Sequence, residues 1–164
     1  KYRFPKGFKK EVVLYNFHRA LSHERDAGLI VVEGFFSVVK LHQAGFPNVV
    51  ATMGCSVSEA QVDLLALSPS VSILFDGNEA GRSGAEVAAR LLAPRVPVRL
   101  VRLPDGLEPE DVPADALRWL VGGAEAFDFS EVTFTAPPRE APAVAEPSEA
   151  LPAPASLSRV AHQN

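Results

Sequence analysis

Between residues 28 and 103, four short apolar runs recur; three stop at glycine or at an acid followed by glycine, and the fourth at Pro104 just before Asp105-Gly106. They are Gly28-Leu-Ile-Val-Val-Glu33, Asn48-Val-Val-Ala-Thr-Met-Gly54, Val71-Ser-Ile-Leu-Phe75 before Asp76, and Val96-Pro-Val-Arg-Leu-Val-Arg-Leu103. Segments with helical spacing separate them. Phe36–Ala44 is stopped by Gly45, and Ser58-Glu-Ala-Gln61 has capping-box spacing and opens a helix through Leu67. Glu79–Leu92 packs through Ala85, Ala88, Ala89 and Leu92, and a last helix covers about Ala114–Val121 behind Pro113. Apolar runs joined through helices are parallel strands linked by right-handed crossovers. The pattern predicts a small doubly wound α/β domain, a mostly parallel four-stranded sheet with helices on both faces. Pro97 is poor in a central ladder and places the fourth strand at or near a sheet edge.

Charge divides the chain unevenly. Residues 1–25 carry seven Lys/Arg against Glu11 and Glu24, a balance of +5, which leaves −9 on the remainder of a chain at −4. A basic leading segment on an acidic body suits a polyanion contact at that end, or else a solvated connector. Leu14, Phe17 and Leu21 give it a short helical face. The expected organisation is a basic connector over 1–25, a globular domain over 26–125, and a Pro/Ala/Glu-rich tail over 126–164. Six of the 14 prolines lie between Pro137 and Pro154, and such a composition cannot bury enough apolar surface to order itself. The start, Lys1-Tyr-Arg-Phe, reads as the middle of a longer chain. No run approaches the ~18 apolar residues of a membrane helix, so no membrane partner is expected. Cys55 is the one cysteine, which excludes a disulfide framework and a cysteine-based zinc site within these residues and fits a cytoplasmic protein.

In doubly wound sheets, ligands bind beyond the carboxyl ends of the strands. Those ends present Glu33-Gly34, Asp76-Gly77-Asn78-Glu79 and Leu103-Pro-Asp105-Gly106. A single acid after a strand is most often a helix cap or turn residue. Three of them, each followed by glycine, suit a hard divalent cation, Mg²⁺ or Mn²⁺, which offsets their repulsion and neutralises charge in phosphoryl or nucleotidyl transfer.

These residues carry a family resemblance. Val31-Val-Glu33-Gly34-Phe-Phe-Ser-Val-Val resembles the strand-Glu-Gly-helix signature of toprim domains, and Phe75-Asp76-Gly77-Asn78-Glu79-Ala80-Gly81-Arg82 resembles their Asp-x-Asp element as it stands in bacterial DNA primases. Gln43–Gly54 and Leu103-Pro-Asp-Gly106 with Glu108-Pro-Glu110 are similar to two further primase segments, and Lys1–His18 to the connector before the toprim part of the zinc-finger-bearing primases. The resemblance implies a toprim fold and a primase-like nucleotidyltransferase that makes RNA primers on single-stranded DNA from nucleoside triphosphates, with a replicative helicase as partner and zinc only in a missing upstream domain. It implies Glu33 as general acid/base or metal ligand, Asp76, Asn78 and Asp105 as metal ligands, and Arg82 as a contact for phosphate or nucleic acid, to which the basic leading segment adds Lys9 and Lys10. Asn78 stands where the family has its second aspartate, and Ser37 where primases commonly have another acid. Those departures keep open a degenerate, non-catalytic toprim module that binds nucleic acid or a replication partner, or a toprim protein of topoisomerase or repair type. A mobile-element protein fits either.

Other features are read as structural. Asp76 after a third strand also suits a phospho-accepting receiver domain, but the acidic pair and the lysine such a domain needs are missing. Gly77, Gly81 and Gly84 match neither a dinucleotide fingerprint nor a P-loop. Lys40, His42, His18 and His23 read as surface, Cys55 as a small buried residue, and Trp119 and the phenylalanines as core that forms no base-stacking platform.

Overall fold

A computed structural model of the chain describes residues 3–23, 27–123 and the backbone of 125–126. Five strands form one sheet: β1 (Leu29–Val32), β2 (Val49–Ala51), β3 (Val71–Ile73), β4 (Val98–Leu100) and β5 (Glu125–Ala126), in the order β2-β1-β3-β4-β5. The first four are parallel, and β5 adds antiparallel to β4. The sheet therefore has one more strand than the sequence pattern predicts, because a two-residue strand has no period to read. β4 lies next to last, in keeping with Pro97. Beyond Ala126, the expected tail lies outside the described residues.

Among the described residues five α-helices accompany the strands: α1 (Phe17–Ala20), α2 (Phe35–Gln43), α3 (Glu59–Leu65), α4 (Glu79–Leu92) and α5 (Ala114–Gly122). β1 explains why both faces are covered. Its residues alternate between two cores, Leu29 and Val31 in one, Ile30 and Val32 in the other, and all four are buried. The first core takes Val62 and Leu65 of α3 with Ala88, Ala89 and Leu92 of α4. The second takes Val38 and Leu41 of α2 with Leu117 and Val121 of α5. α2 and α4 thus leave neighbouring strands toward opposite faces, and the strand order reverses between β1 and β3. That reversal opens a crevice at the carboxyl ends of these two strands.

The N-terminal segment is tied to the sheet. Tyr15 pairs with Ala51 on the outer edge of β2, Tyr15 N–H donating to Ala51 O at 2.9 Å and Ala51 N–H to Tyr15 O at 3.2 Å. This covers an edge that would otherwise present unpaired backbone groups. Gln61 is the second tie. The capping box at Ser58 is formed, its Oγ accepting the Gln61 N–H at 3.1 Å. The buried Gln61 amide then reaches across the chain, its Nε2 lying 3.1 Å from Lys10 O, 2.9 Å from Val13 O and 3.2 Å from Thr52 O.

Replacing Gln61 by Leu keeps the volume and strands those carbonyls. The expected loss is about 2–3 kcal/mol of unfolding free energy, since buried acceptors lose their donor. Urea denaturation followed by circular dichroism reads it, and an unchanged midpoint would show that the segment is not held through this side chain.

Candidate functional site

Parallel pairing of β1 with β3, in the register Val31↔Ile73, brings Glu33 and Asp76 side by side just past the strand ends. The Glu33 carboxylate accepts the Asp76 backbone N–H at 3.1 Å. Below it, Gly54 N–H donates to the Glu33 carbonyl at 3.2 Å, as Met53 turns through the left-handed region at φ 64°, an uncommon conformation for a side chain of that size. Lys10 Nζ donates to the Met53 carbonyl at 3.5 Å and so enters the same wall.

The third wall comes from the loop after β4. Gly77 N–H donates to Leu107 O at 2.8 Å, and Gly106 N–H to Gly77 O at 2.9 Å. These two bonds pin the loop against the end of β3 and carry Glu108 and Glu110 over the crevice. Glu110 is held twice more: Ser37 Oγ, buried at the start of α2, donates to its carboxylate at 3.1 Å and 3.2 Å, and Lys40 Nζ donates to its backbone carbonyl at 3.0 Å. Lys40 is therefore half-buried and engaged, where the sequence suggested a surface residue. Glu33, Asp76, Glu108 and Glu110 line one cavity of about 370 Å³, with Lys10 and Phe4 on its rim.

The first turn of α4 closes on this cavity because residue 81 is glycine. A Cβ there would collide with Asp76 O and stand 2.8 Å from Glu33 Oε1. No larger residue fits without moving one of the acids.

Crowded carboxylates resist ionisation. Burial, and after it the charges of Glu33, Glu108, Glu110 and Asp111, together raise the Asp76 pKa to about 7. Glu33 is also raised, first by burial, then by Glu108, against the opposing hydrogen bond from the Asp76 N–H. Among the described residues, no three His, Cys, Asp or Glu side chains converge closely enough to hold a metal ion as they stand. The donor set nonetheless has the chemistry for one: carboxylate oxygens around a shared cavity, whose mutual repulsion a hard divalent cation would relieve.

The other residues singled out in the sequence fall elsewhere. Asn78 is the N-cap of α4, its Oδ1 accepting the Gly81 N–H at 2.9 Å, so its oxygen is turned to the helix. Asp105 does not line this cavity: its side chain is 93% exposed and forms an ion pair with Arg82 at 2.8 Å. Arg82 Nη1 also donates to Gly77 O at 2.6 Å, which braces the same loop. Lys9 is exposed at the start of the 3₁₀ turn Lys10–Val12 and lines no part of the cavity. Glu108 and Glu110, quoted in the sequence only as part of a motif, are the acids that face Glu33 and Asp76; the signal that could have found them is the alternation Glu-Pro-Glu shortly beyond Gly106. Cys55 is exposed, and Trp119 is 75% exposed, both contrary to the core positions expected of them.

The toprim domain family matches residues 28–103. A DNA primase of Rickettsia prowazekii is 37% identical over 110 residues, covering 63% of this chain and 18% of its own length. The zinc-binding and RNA polymerase domains of the Aquifex aeolicus primase superpose with a TM-score of 0.68 at 32% identity, over 76% of this chain and 33% of that one. A DnaG primase catalytic domain bound to single-stranded DNA gives 0.64 at 28% identity, over 76% and 43%. The chain spans less than a fifth of the length of the curated relatives it matches.

The raised pKa values fix a sign for the pH dependence of stability. In the unfolded chain Asp76 ionises near the usual value of about 4, whereas in the folded domain it keeps its proton to about 7. Between these values the folded state binds more protons, so stability falls as pH rises. A thermal melt without divalent ions should decline from about pH 4.5 to about pH 8, and Asp76→Asn should flatten the decline. A rising profile in that window would refute the crowding of these acids.

Proposed function

Since residues 28–103 form a toprim domain of the kind carried by bacterial DNA primases, we propose that this chain is the toprim catalytic core of a primase-like enzyme. Its reaction is metal-dependent nucleotidyl transfer, the synthesis of an RNA primer on single-stranded DNA from nucleoside triphosphates. The observation that carries the reading is the convergence of Glu33, Asp76, Glu108 and Glu110 on one cavity at the point where the strand order reverses.

Glu33 and Asp76 would hold Mg²⁺ or Mn²⁺, with Glu108 and Glu110 facing them. When bound, the ion would supply neutralising charge for phosphate oxygens and orient the transferring group. Ser37 and Lys40 keep Glu110 turned into the cavity. Lys10, on the rim, offers a cation to a phosphate. Glu33, whose ionisation burial and the Glu108 charge oppose, is suited to hold and pass a proton at its carboxylate. Arg82 braces the loop through Gly77 and Asp105, a positioning role instead of a direct phosphate contact. Asp105 and Asn78 are not needed as ligands in this arrangement. A replicative helicase partner and a cytoplasmic location follow from the same reading; among the described residues no helix is long and apolar enough to cross a membrane.

A second reading has its own support. With Asn78 used as a helix cap and Ser37 in place of an acid, the cluster carries less charge than the Asp-x-Asp pattern supplies, which favours a module that binds nucleic acid without polymerising.

Calorimetry with Mn²⁺ separates the two. The wild type should bind below millimolar, and Asp76→Ala should weaken binding at least about tenfold, the effect of removing a central carboxylate ligand. Asn78→Asp should tighten it while keeping the helix cap. A wild type that fails to bind below millimolar would end the catalytic reading. Incorporation of nucleotides on a single-stranded template, measured in the full-length protein with and without Glu33→Gln, then tests turnover.

A further inference from the structure

The N-terminal segment carries an aromatic feature that belongs to neither core and only borders the acid cavity. Phe4-Pro-Lys-Gly-Phe8 folds back on itself, with Phe8 N–H donating to Pro5 O at 3.1 Å and Gly7 at φ 86°, a left-handed position that glycine takes at no steric cost. The turn lays the ring of Phe8 on that of Phe4, centroids 5.0 Å apart and planes 19° from parallel. Phe4 meets Phe35 edge-on at 6.3 Å, and Phe35 meets Tyr15 edge-on at 4.7 Å. Yet Phe4, Phe8 and Tyr15 remain 39%, 44% and 42% exposed. Clustered exposed rings of this kind mark an interaction surface.

Position and charge identify the occupant. The rings wall a cavity of about 560 Å³ whose lining includes His18 and Arg19. Phe4, Phe35 and Met53 also wall the acid cavity, so the two spaces are neighbours across the same side chains. Between residues 3 and 23 the segment holds Arg3, Lys6, Lys9, Lys10 and Arg19 against Glu11 alone. Exposed rings bordered by cations are the chemistry of single-stranded nucleic acid binding, where bases stack on the rings and the backbone follows the positive charge. A covering protein segment would use the rings but have no call on that many cations.

We propose that the Phe4–Phe8 pair is a stacking shelf for an unpaired base of single-stranded nucleic acid, held beside the acid cavity. The shelf deepens the single-strand reading given above and rests on it. The backbone of such a strand would run along Lys6, Lys9 and Arg19, which gives Lys9 a use away from the acids.

Fluorescence anisotropy with the 164-residue chain tests this. The probes are a short labelled oligothymidylate and an abasic oligomer of the same backbone and length, at one fixed salt concentration. The wild type should prefer the thymidylate, and Phe8→Ala should erase that preference, a loss of about tenfold for the base-bearing strand and little for the abasic one. Phe8→Trp, in a Trp119→Phe background, should keep the affinity and show indole quenching by thymidylate but not by the abasic oligomer. This quenching decides the matter if Phe8→Ala fails to fold by circular dichroism. Equal binding of both oligomers, equal weakening of both by Phe8→Ala, no binding, or an indole that stays unquenched in the Phe8→Trp variant would each overturn the shelf. Mn²⁺ calorimetry on the same proteins keeps the two readings apart. Lost base discrimination with intact Mn²⁺ binding removes the shelf alone, and the reverse removes the metal reading alone.

Discussion

The hydrogen bond from the Asp76 backbone to the Glu33 carboxylate depends on the pairing of β1 with β3, and most of the site depends on it in turn. Two strands buried on both faces cannot slip by one residue without driving polar side chains into a core. Their register is therefore rigid, and it delivers two acids to adjacent positions in a crevice that the reversal of strand order opens. α4 then begins close enough for its first turn to touch both acids, which is possible only with glycine at position 81. The loop from Pro104 to Asp111 follows, fixed by its two backbone bonds with Gly77.

What this scaffold concentrates is negative charge with incomplete hydration. Asp76 holds its proton to about neutral pH because burial and four neighbouring acids oppose its ionisation. The arrangement is uneven around the cavity. Glu110 is steadied by a serine hydroxyl and tethered by a lysine, so one side is preset, whereas Lys10, on the cavity lining, makes a long contact to the Met53 carbonyl. A serine at position 37 changes what that place in α2 does: an acid there would repel Glu110, and the hydroxyl instead donates to it.

Much of this was legible in the sequence, for identifiable reasons. Strands β1 to β4 and helices α2 to α5 announce themselves through period and punctuation, and Glu33 and Asp76 stand out because strand ends are where doubly wound sheets bind ligands. Asn78 was legible as a motif position but not as a cap: the choice between facing a ligand and accepting the Gly81 N–H is made by where α4 begins. Asp105 looked better placed than Glu108 and Glu110 because it lies nearer the strand end. The loop's bonds to Gly77, far away in sequence, reverse that order. Trp119, Phe4 and Phe8 are apolar residues left outside both cores, and composition alone cannot tell which face of a helix or turn meets the sheet. Cys55 likewise sits in the turn after β2, where small size brings no burial.

The Gln61 amide bears on where this domain begins and ends. The family signature covers residues 28–103, yet Gln61 grips carbonyls of Lys10 and Val13, and Tyr15 completes the edge of β2. A chain trimmed to the signature would keep Glu33 and Asp76 while discarding Glu108, Glu110 and the strand-edge pairing. It would also leave Gln61 reaching for partners that no longer exist. The unit inherited as a recognisable pattern is smaller than the unit that folds and carries the acids, and its true limits lie at least at Lys10 on one side and α5 on the other.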